Sequence, residues 1–580
     1  MASTSRRPQP SSSRRPGPAT KRRGIQLPLN GHNGHQPRRL IADPEPCSPD
    51  NERKQRGGYY TPASIAKFLA EWAIRSEAAH VLEPSAGDGE VVAAAARLVG
   101  NGGRIVAVEL HGDEAGRAAL RGGARTTVLN SDFFSWFSKE RPIGQFDAVV
   151  GNPPFIRYQD FPESHRQPAF ALMREEGLHP SRLTNAWLPF VTAATRALRR
   201  GGRLALVLPA ELLQVMYAAE LREYLARRYS RLTIVTFKRL VFDGIQQEIV
   251  LLLGIRGESI KAQISLVELD GPEDLRTRVG GRTQPVAVDL DHAREKWTQY
   301  YLSPCELALI RELEQSAAFA RLGDLAQVDV GIVTGRNEFF VVRQSEGAVR
   351  GIAAWCLPLV GRSAQIPGLV LRTREWQRLA KEDEKCHLVQ FGAVERVDLP
   401  AAAAAYVQEG EAVGFHLGYK CRVRMPKWWN VPSPWVPDAF LLRQIHDGPR
   451  IVQNRAGATC TDTIHRLRMR NGTSAGWLAA ASMNSLTFAF AEIVGRSYGG
   501  GVLELEPTEA ERLPVPRPHL SELPLDALDA RARQATAEET LSEVDRLVLK
   551  PAGLSQKDVK TLRGIWRKLC ERRKSRKRRG

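Results

Sequence analysis

From residue 57 to about 270 the chain alternates short apolar runs with longer amphipathic ones. Val81-Leu82-Glu83-Pro84, Arg104–Leu110, Phe146–Gly151, Arg203–Leu208, Leu232–Phe237 and Glu248–Ile255 read as strands. Ala63–Ile74, Val91–Val99 and Ala186–Arg200 read as helices, the last expected to stop at Gly201-Gly202. Apolar strands that alternate with helices predict an α/β fold built on a mostly parallel sheet, whose ligands sit beyond the carboxyl ends of the strands. Residues 271–300 are polar and contain Gly271-Pro272 and Gly280-Gly281, so a domain boundary is expected there. Residues 271–520 mix short strand-like runs with turns and predict a second, α+β domain. Residues 521–580 read as a charged helical tail, and Leu562, Ile565, Trp566 and Leu569 lie on one face of its last helix.

Charge sharpens this division. Of a formal net charge of +19, residues 1–56 carry +8 and residues 551–580 carry +10, leaving 57–550 near neutrality. Both tails suit a polyanion, although a basic terminus also serves as a solubilising segment. The Ser/Pro/Arg composition of residues 1–56 cannot build a core. No apolar run approaches the ~20 residues needed to span a bilayer. Seven scattered cysteines form no Cys-x-x-Cys pair, which argues against a disulfide framework or a zinc knuckle. The chain is expected to be a reduced, soluble, cytoplasmic monomer without a metal.

The chemistry gathers at strand ends. Phe146–Gly151 runs directly into Asn152-Pro153-Pro154-Phe155. Two prolines stiffen that loop, leaving an amide and an aromatic face to grip a flat, amine-bearing group. Upstream, Glu83-Pro84-Ser85-Ala86-Gly87-Asp88-Gly89 ends the first strand, and its glycines allow close approach of backbone to a ligand. Glu109 ends the second strand and can accept from ribose hydroxyls. Asp132 follows a third strand and can accept from an adenine amine, with Phe133 beside it as a flat face. An acid at such a position is more often a helix cap or a surface charge, so the order of the three acids and Asn152 carries the argument.

That order resembles the gamma-class, Taq-type, amino adenine DNA methyltransferases, with Gly57-Gly58-Tyr59-Tyr60-Thr61-Pro62 in the place of the family's Thr-Pro segment. The match spans about 57–255. It implies a Rossmann-like class I methyltransferase sheet with helices on both faces, S-adenosyl-L-methionine as cofactor, double-stranded DNA as substrate and a possible cognate restriction endonuclease. Thr61, Glu83, Ser85, Gly87, Glu109, Leu110, Asp132, Phe133 and Pro154 would contact the cofactor. Phe190 would pack on its adenine or serve as an ordinary core residue. Asn152, Pro153 and Phe155 would be catalytic, and Phe155 and Phe242 would stack on a flipped adenine. Phe155 departs from the family's commoner Tyr and offers a ring without a hydroxyl. Gly331–Glu338 and Tyr498–Leu505 resemble the opening and closing segments of a target-recognition domain, with Arg422–Trp429 and Asn454-Arg455 between them. Trp428 and Trp429 are expected in the core. Methyltransferases of RNA bases or protein glutamines share the catalytic loop and remain alternatives, as does a fused nuclease. Asp383-Glu384-Lys385 fits half of a nuclease signature, but no Pro-Asp lies a suitable distance before it.

Overall fold

The computed structural model describes residues 60–575 except 243–246, 258–261, 280–285, 287, 499 and 518–522. The basic segment 1–56, Gly57–Tyr59 and Gly280-Gly281 therefore lie outside the described residues.

Eight strands form the first sheet: β1 His80–Glu83, β2 Arg104–Glu109, β3 Thr126–Asn130, β4 Phe146–Gly151, β5 Leu198–Pro209, β6 Tyr229–Phe237, β7 Ile249–Arg256 and β8 Gln263–Leu269. Their order is β3-β2-β1-β4-β5-β7-β6-β8. All neighbours run parallel except β7, which is antiparallel to both β5 and β6. The central strands are apolar because both faces are covered. Successive residues serve opposite faces: Leu82, Leu252 and Ile234 join one core cluster, whereas Val81, Leu251 and Val235 join the other. The helix Ala63–Ala73 lies on the second face and buries Ile65, Phe68 and Leu69.

One expected element differs. The helix beginning at Trp187 ends at Ala197, and the chain enters β5 at Leu198. Gly201-Gly202 is not a helix stop. Pairing with β4 shifts register between Phe146 and Ala148, and Gly201 sits in this irregularity at φ +80°. A Cβ at Gly202 would lie 2.9 Å from the Arg199 carbonyl oxygen and 3.1 Å from that of Asp147. The glycines thus let a strand bulge against its neighbour.

Beyond β8 the chain builds smaller sheets, the largest of five strands: Ala326–Val330, Ile464–Met469, Ala439–Leu442, Ile451–Arg455 and Val370–Arg372 in spatial order. Trp428 and Trp429 are buried in a separate cluster with Phe339, Phe340 and Tyr406. The main core cluster runs from Leu82 to Cys570 and so crosses the expected boundary. The last helix, Gln556–Lys574, contributes Leu562, Ile565, Trp566 and Leu569 to it. Its cations are engaged with acids of the body: Arg573 with Glu492 at 2.6 Å, Lys568 with Glu306 at 2.6 Å and Arg572 with Glu268 at 2.5 Å. This helix is a structural member of the body, and the expectation that its basic face is free for phosphates does not hold for these three residues.

Candidate active site

Three adjacent strands, β2-β1-β4, release their carboxyl ends side by side, where the chain order reverses direction across the sheet. A cavity of about 510 Å³ opens above them, a size suited to a nucleoside-sized ligand. Of the residues singled out in the sequence, Thr61, Glu83, Ser85, Gly87, Glu109, Leu110, Asp132, Phe133, Asn152, Pro154 and Phe190 line it. Pro153, within the loop, is buried. Phe155 is half-buried and packs against both core clusters. Phe242 is 6% exposed and sits in the core cluster with Phe237 and Ile249; it does not line the cavity, and Asp243 beside it lies outside the described residues.

Each acid is held differently. Glu83 ends β1 at 2% exposure. Burial, and then the charges of Glu109 and Asp88, push its carboxyl well above the usual carboxylate range. Its Oε2 has no hydrogen-bond partner among the described residues. Glu109 is fixed by two backbone donors at 2.9 Å each, Gly87 N–H to Oε2 and His111 N–H to Oε1. Gly87 adopts φ +53°, and at Gly89 (φ +88°) a Cβ would lie 2.5 Å from Ala118 Cα. Glycine at both positions draws the turn close to the strand ends. Asp132 caps the helix Phe133–Glu140, its Oδ1 accepting from Ser135 N–H and Oγ–H at 2.8 Å each. Its Oδ2 lies 3.7 Å from His165 Nδ1. The cap and the cavity position therefore coexist, each using a different oxygen. Phe133 and Phe190 stack at 5.0 Å with planes 11° apart, so Phe190 belongs to the core and also lines the cavity.

Sequence reading missed part of this wall. Tyr60 donates to Glu114 at 2.8 Å at the cavity mouth. Asp160, Phe161, Pro162 and His165 line the cavity after the loop Asn152–Phe155. Nothing periodic marks them; the turn Tyr158–Asp160 and the following helix Glu163–Glu175 bring them round.

That segment is tied to the rest of the molecule through Asn185. Its Oδ1 accepts from Tyr158 N–H at 3.2 Å, and its amide donates to Tyr217 Oη at 2.9 Å and Glu211 Oε2 at 3.3 Å. Ala186 N–H donates to the Ile156 carbonyl at 2.9 Å. On the next turn Gln214 exchanges two 2.8 Å hydrogen bonds with the backbone of Ser497, far along the chain.

The donor set fits S-adenosylmethionine. The ligand carries a sulfonium and an ammonium, and Glu83 offers a buried carboxyl oxygen without a partner among the described residues. Glu109, fixed at the end of β2, suits ribose hydroxyls, and the Phe133–Phe190 pair suits a purine face.

Comparison with known proteins gives the same reading. Residues 118–242 match the family model "Eco57I restriction-modification methylase". Residues 294–549 match "Type II methyltransferase M.Eco57I, C-terminal domain". Type II methyltransferase M.XamI of Xanthomonas campestris pv. amaranthicola is 25% identical over 481 residues, covering 79% of this chain and 85% of that one. Type II methyltransferase M.AccI of Acinetobacter calcoaceticus is 21% identical over 488 residues, again 79% and 85%. M.TthHB8I of Thermus thermophilus is 30% identical over 190 residues, 32% of this chain and 42% of that one. The solved type IIG restriction endonuclease BpuSI aligns over 91% of this chain and 67% of its own at 12% identity, with a TM-score of 0.39, too low to bear on the fold. With the sheet, the cavity and two family models in agreement, the chain is a restriction-modification DNA methyltransferase of the gamma class, with S-adenosylmethionine as its cofactor.

Proposed function

We propose that the protein methylates the exocyclic amine of adenine at a specific duplex sequence. The observation that carries this reading is Asn152-Pro153-Pro154-Phe155 at the carboxyl end of β4, opening onto the cavity that Glu83, Glu109 and Asp132 line. The adenine amine is a poor nucleophile because its lone pair is delocalised into the ring. The Asn152 side-chain oxygen and the Pro153 carbonyl accept its two N–H bonds, which draws the nitrogen toward tetrahedral geometry and stabilises the positive charge that develops there. The face of Phe155 supports the same charge by a cation–π interaction worth about 0.5–2 kcal/mol. Bound S-adenosylmethionine supplies an electrophilic methyl group. Glu83 holds the cationic end of the cofactor, Glu109 its ribose and Asp132 with Phe133 its adenine. A duplex base reaches Asn152 only when flipped from the stack, at a cost of a few kcal/mol. We assign residues 57–270 to methyl transfer and 271–520 to target recognition. The likeness to type II methyltransferases supports the further reading that a separate endonuclease acts on the same site and that this protein protects host DNA from it.

The test is long-read methylation mapping of DNA from cells expressing the chain, beside cells expressing Asn152→Ala. One sequence motif carrying N6-methyladenine, absent with the variant, is expected. N4-methylcytosine in its place overturns the adenine assignment.

A further inference from the structure

Large apolar side chains are exposed in an unusual concentration at residues 413–436. Leu417, Tyr419, Val423 and Met425 are exposed by 55–69% within nine positions. No Asp or Glu occurs between Glu411 and Asp438. Lys420 and Arg422 are exposed there and form no ion pair among the described residues; Lys420 lies over the Tyr419 ring at 5.9 Å.

This knob is held rigidly from below. Tyr419–Arg422 is one helical turn, continued by Val423 N–H to the Tyr419 carbonyl at 3.1 Å. Cys421 is fully buried over Trp428 and Trp429. The Arg424 guanidinium turns inward, donating to the carbonyls of Lys420 (3.0 Å), Asn430 (3.2 Å) and Thr334. The loop Gly331–Glu338 packs against its flank so closely that a Cβ at Gly335 would lie 2.6 Å from Lys420 Cβ. One cation is thus spent on bracing while two face outward. Apolar side chains of this size left in water forgo the gain that burial would bring. A braced segment with no acid of its own, which joins these side chains to outward cations, matches a partner that is anionic along its edges and partly apolar between them.

We propose that the turn Tyr419–Met425 enters a groove of the DNA duplex. Lys420 and Arg422 engage phosphates, and Tyr419 and Val423 meet sugars and base edges. The inference rests on the reading of duplex DNA as substrate and assigns the part of the second region that touches it.

Duplex binding over a salt series tests it in the full-length protein, using a duplex that carries the mapped methylation motif. For Lys420→Ala/Arg422→Ala, the slope of log affinity against log salt should be shallower by about 0.9 for each phosphate no longer neutralised. For Tyr419→Ala/Val423→Ala, affinity should fall about tenfold, equivalent to about 1.4 kcal/mol, with melting temperature and S-adenosylmethionine affinity unchanged. An active parent whose two variants bind with parental affinity and salt slope overturns this inference alone. So does a change confined to self-association in sedimentation, which would assign the knob to a second copy of the chain. A parent that neither binds nor methylates duplex DNA overturns the substrate reading, and this inference with it.

Discussion

At Glu83 the stability of the fold and the proposed binding of the cofactor pull in opposite directions. Its carboxyl is raised in the folded chain, first by burial and then by Glu109 and Asp88. Between the ordinary carboxylate range and that raised value, the folded protein holds a proton that the unfolded chain has released. Stability therefore falls as pH rises through this window. A cationic ligand favours the carboxylate, so cofactor affinity should rise with pH over the same range, with proton release on binding. Glu83→Gln should flatten both dependences, keep or raise the melting temperature near neutrality, and weaken S-adenosylmethionine binding by about 10- to 100-fold, the value of a hydrogen bond to a charged group. Calorimetric titration in two buffers of different ionisation enthalpy reads the proton; equal affinity in parent and variant would remove Glu83 from the cofactor site. For Asn152→Ala, methyl transfer should drop by at least ~10²–10³-fold while duplex binding persists. Single-turnover assays beside gel-shift titrations separate the two, and near-parental turnover would refute the mechanism.

How the loop Asn152–Phe155 is presented is decided between elements. The loop leaves β4, and the segment after it is held by Asn185 at the start of the helix Trp187–Ala197. Asn185 also reaches Glu211 and Tyr217, and Gln214 joins this corner to Ser497. Asn185→Ala should lower kcat by about tenfold or more, since small misplacements of reacting groups are costly. The affinity for S-adenosylmethionine should stay within about twofold, because Asn185 holds none of the cavity acids: Glu109 and Asp132 are fixed by other partners, and Glu83 lies at the end of β1. A parental kcat would show that the loop holds its place unaided. None of these links was readable from periodicity, which identifies faces but not partners 283 residues apart. The same limit explains Gly201-Gly202: as a glycine pair it signals a break equally well in a helix or a strand, and only the pairing of β4 with β5 makes it a bulge.

At the scale of the whole molecule, the C-terminal helix is part of the core. Arg573 and Glu492 are 2% and 4% exposed and 2.6 Å apart. Removing one partner strands a buried charge, so Arg573→Ala should cost about 3–5 kcal/mol, whereas replacing both by apolar residues should recover much of it. Denaturant midpoints of the single and double variants measure this. Deleting residues 551–580 should yield unfolded or aggregated protein, not a weaker DNA binder; a soluble, cooperatively melting truncation would contradict that. The sequence alone determined most strands of the first sheet, β8 excepted, the three strand-end acids, the Asn-Pro-Pro-Phe loop and the burial of Trp428 and Trp429. These follow from local patterning and from motifs whose spacing tracks the βα repeat. Tertiary structure decided which acid oxygen is left without a partner among the described residues, how Asp132 serves as both cap and cavity wall, and that Phe242 lies in the core. It also decided that the basic last helix turns its cations on the body. Burial and charge pairing depend on residues distant in sequence, and no local pattern encodes those distances.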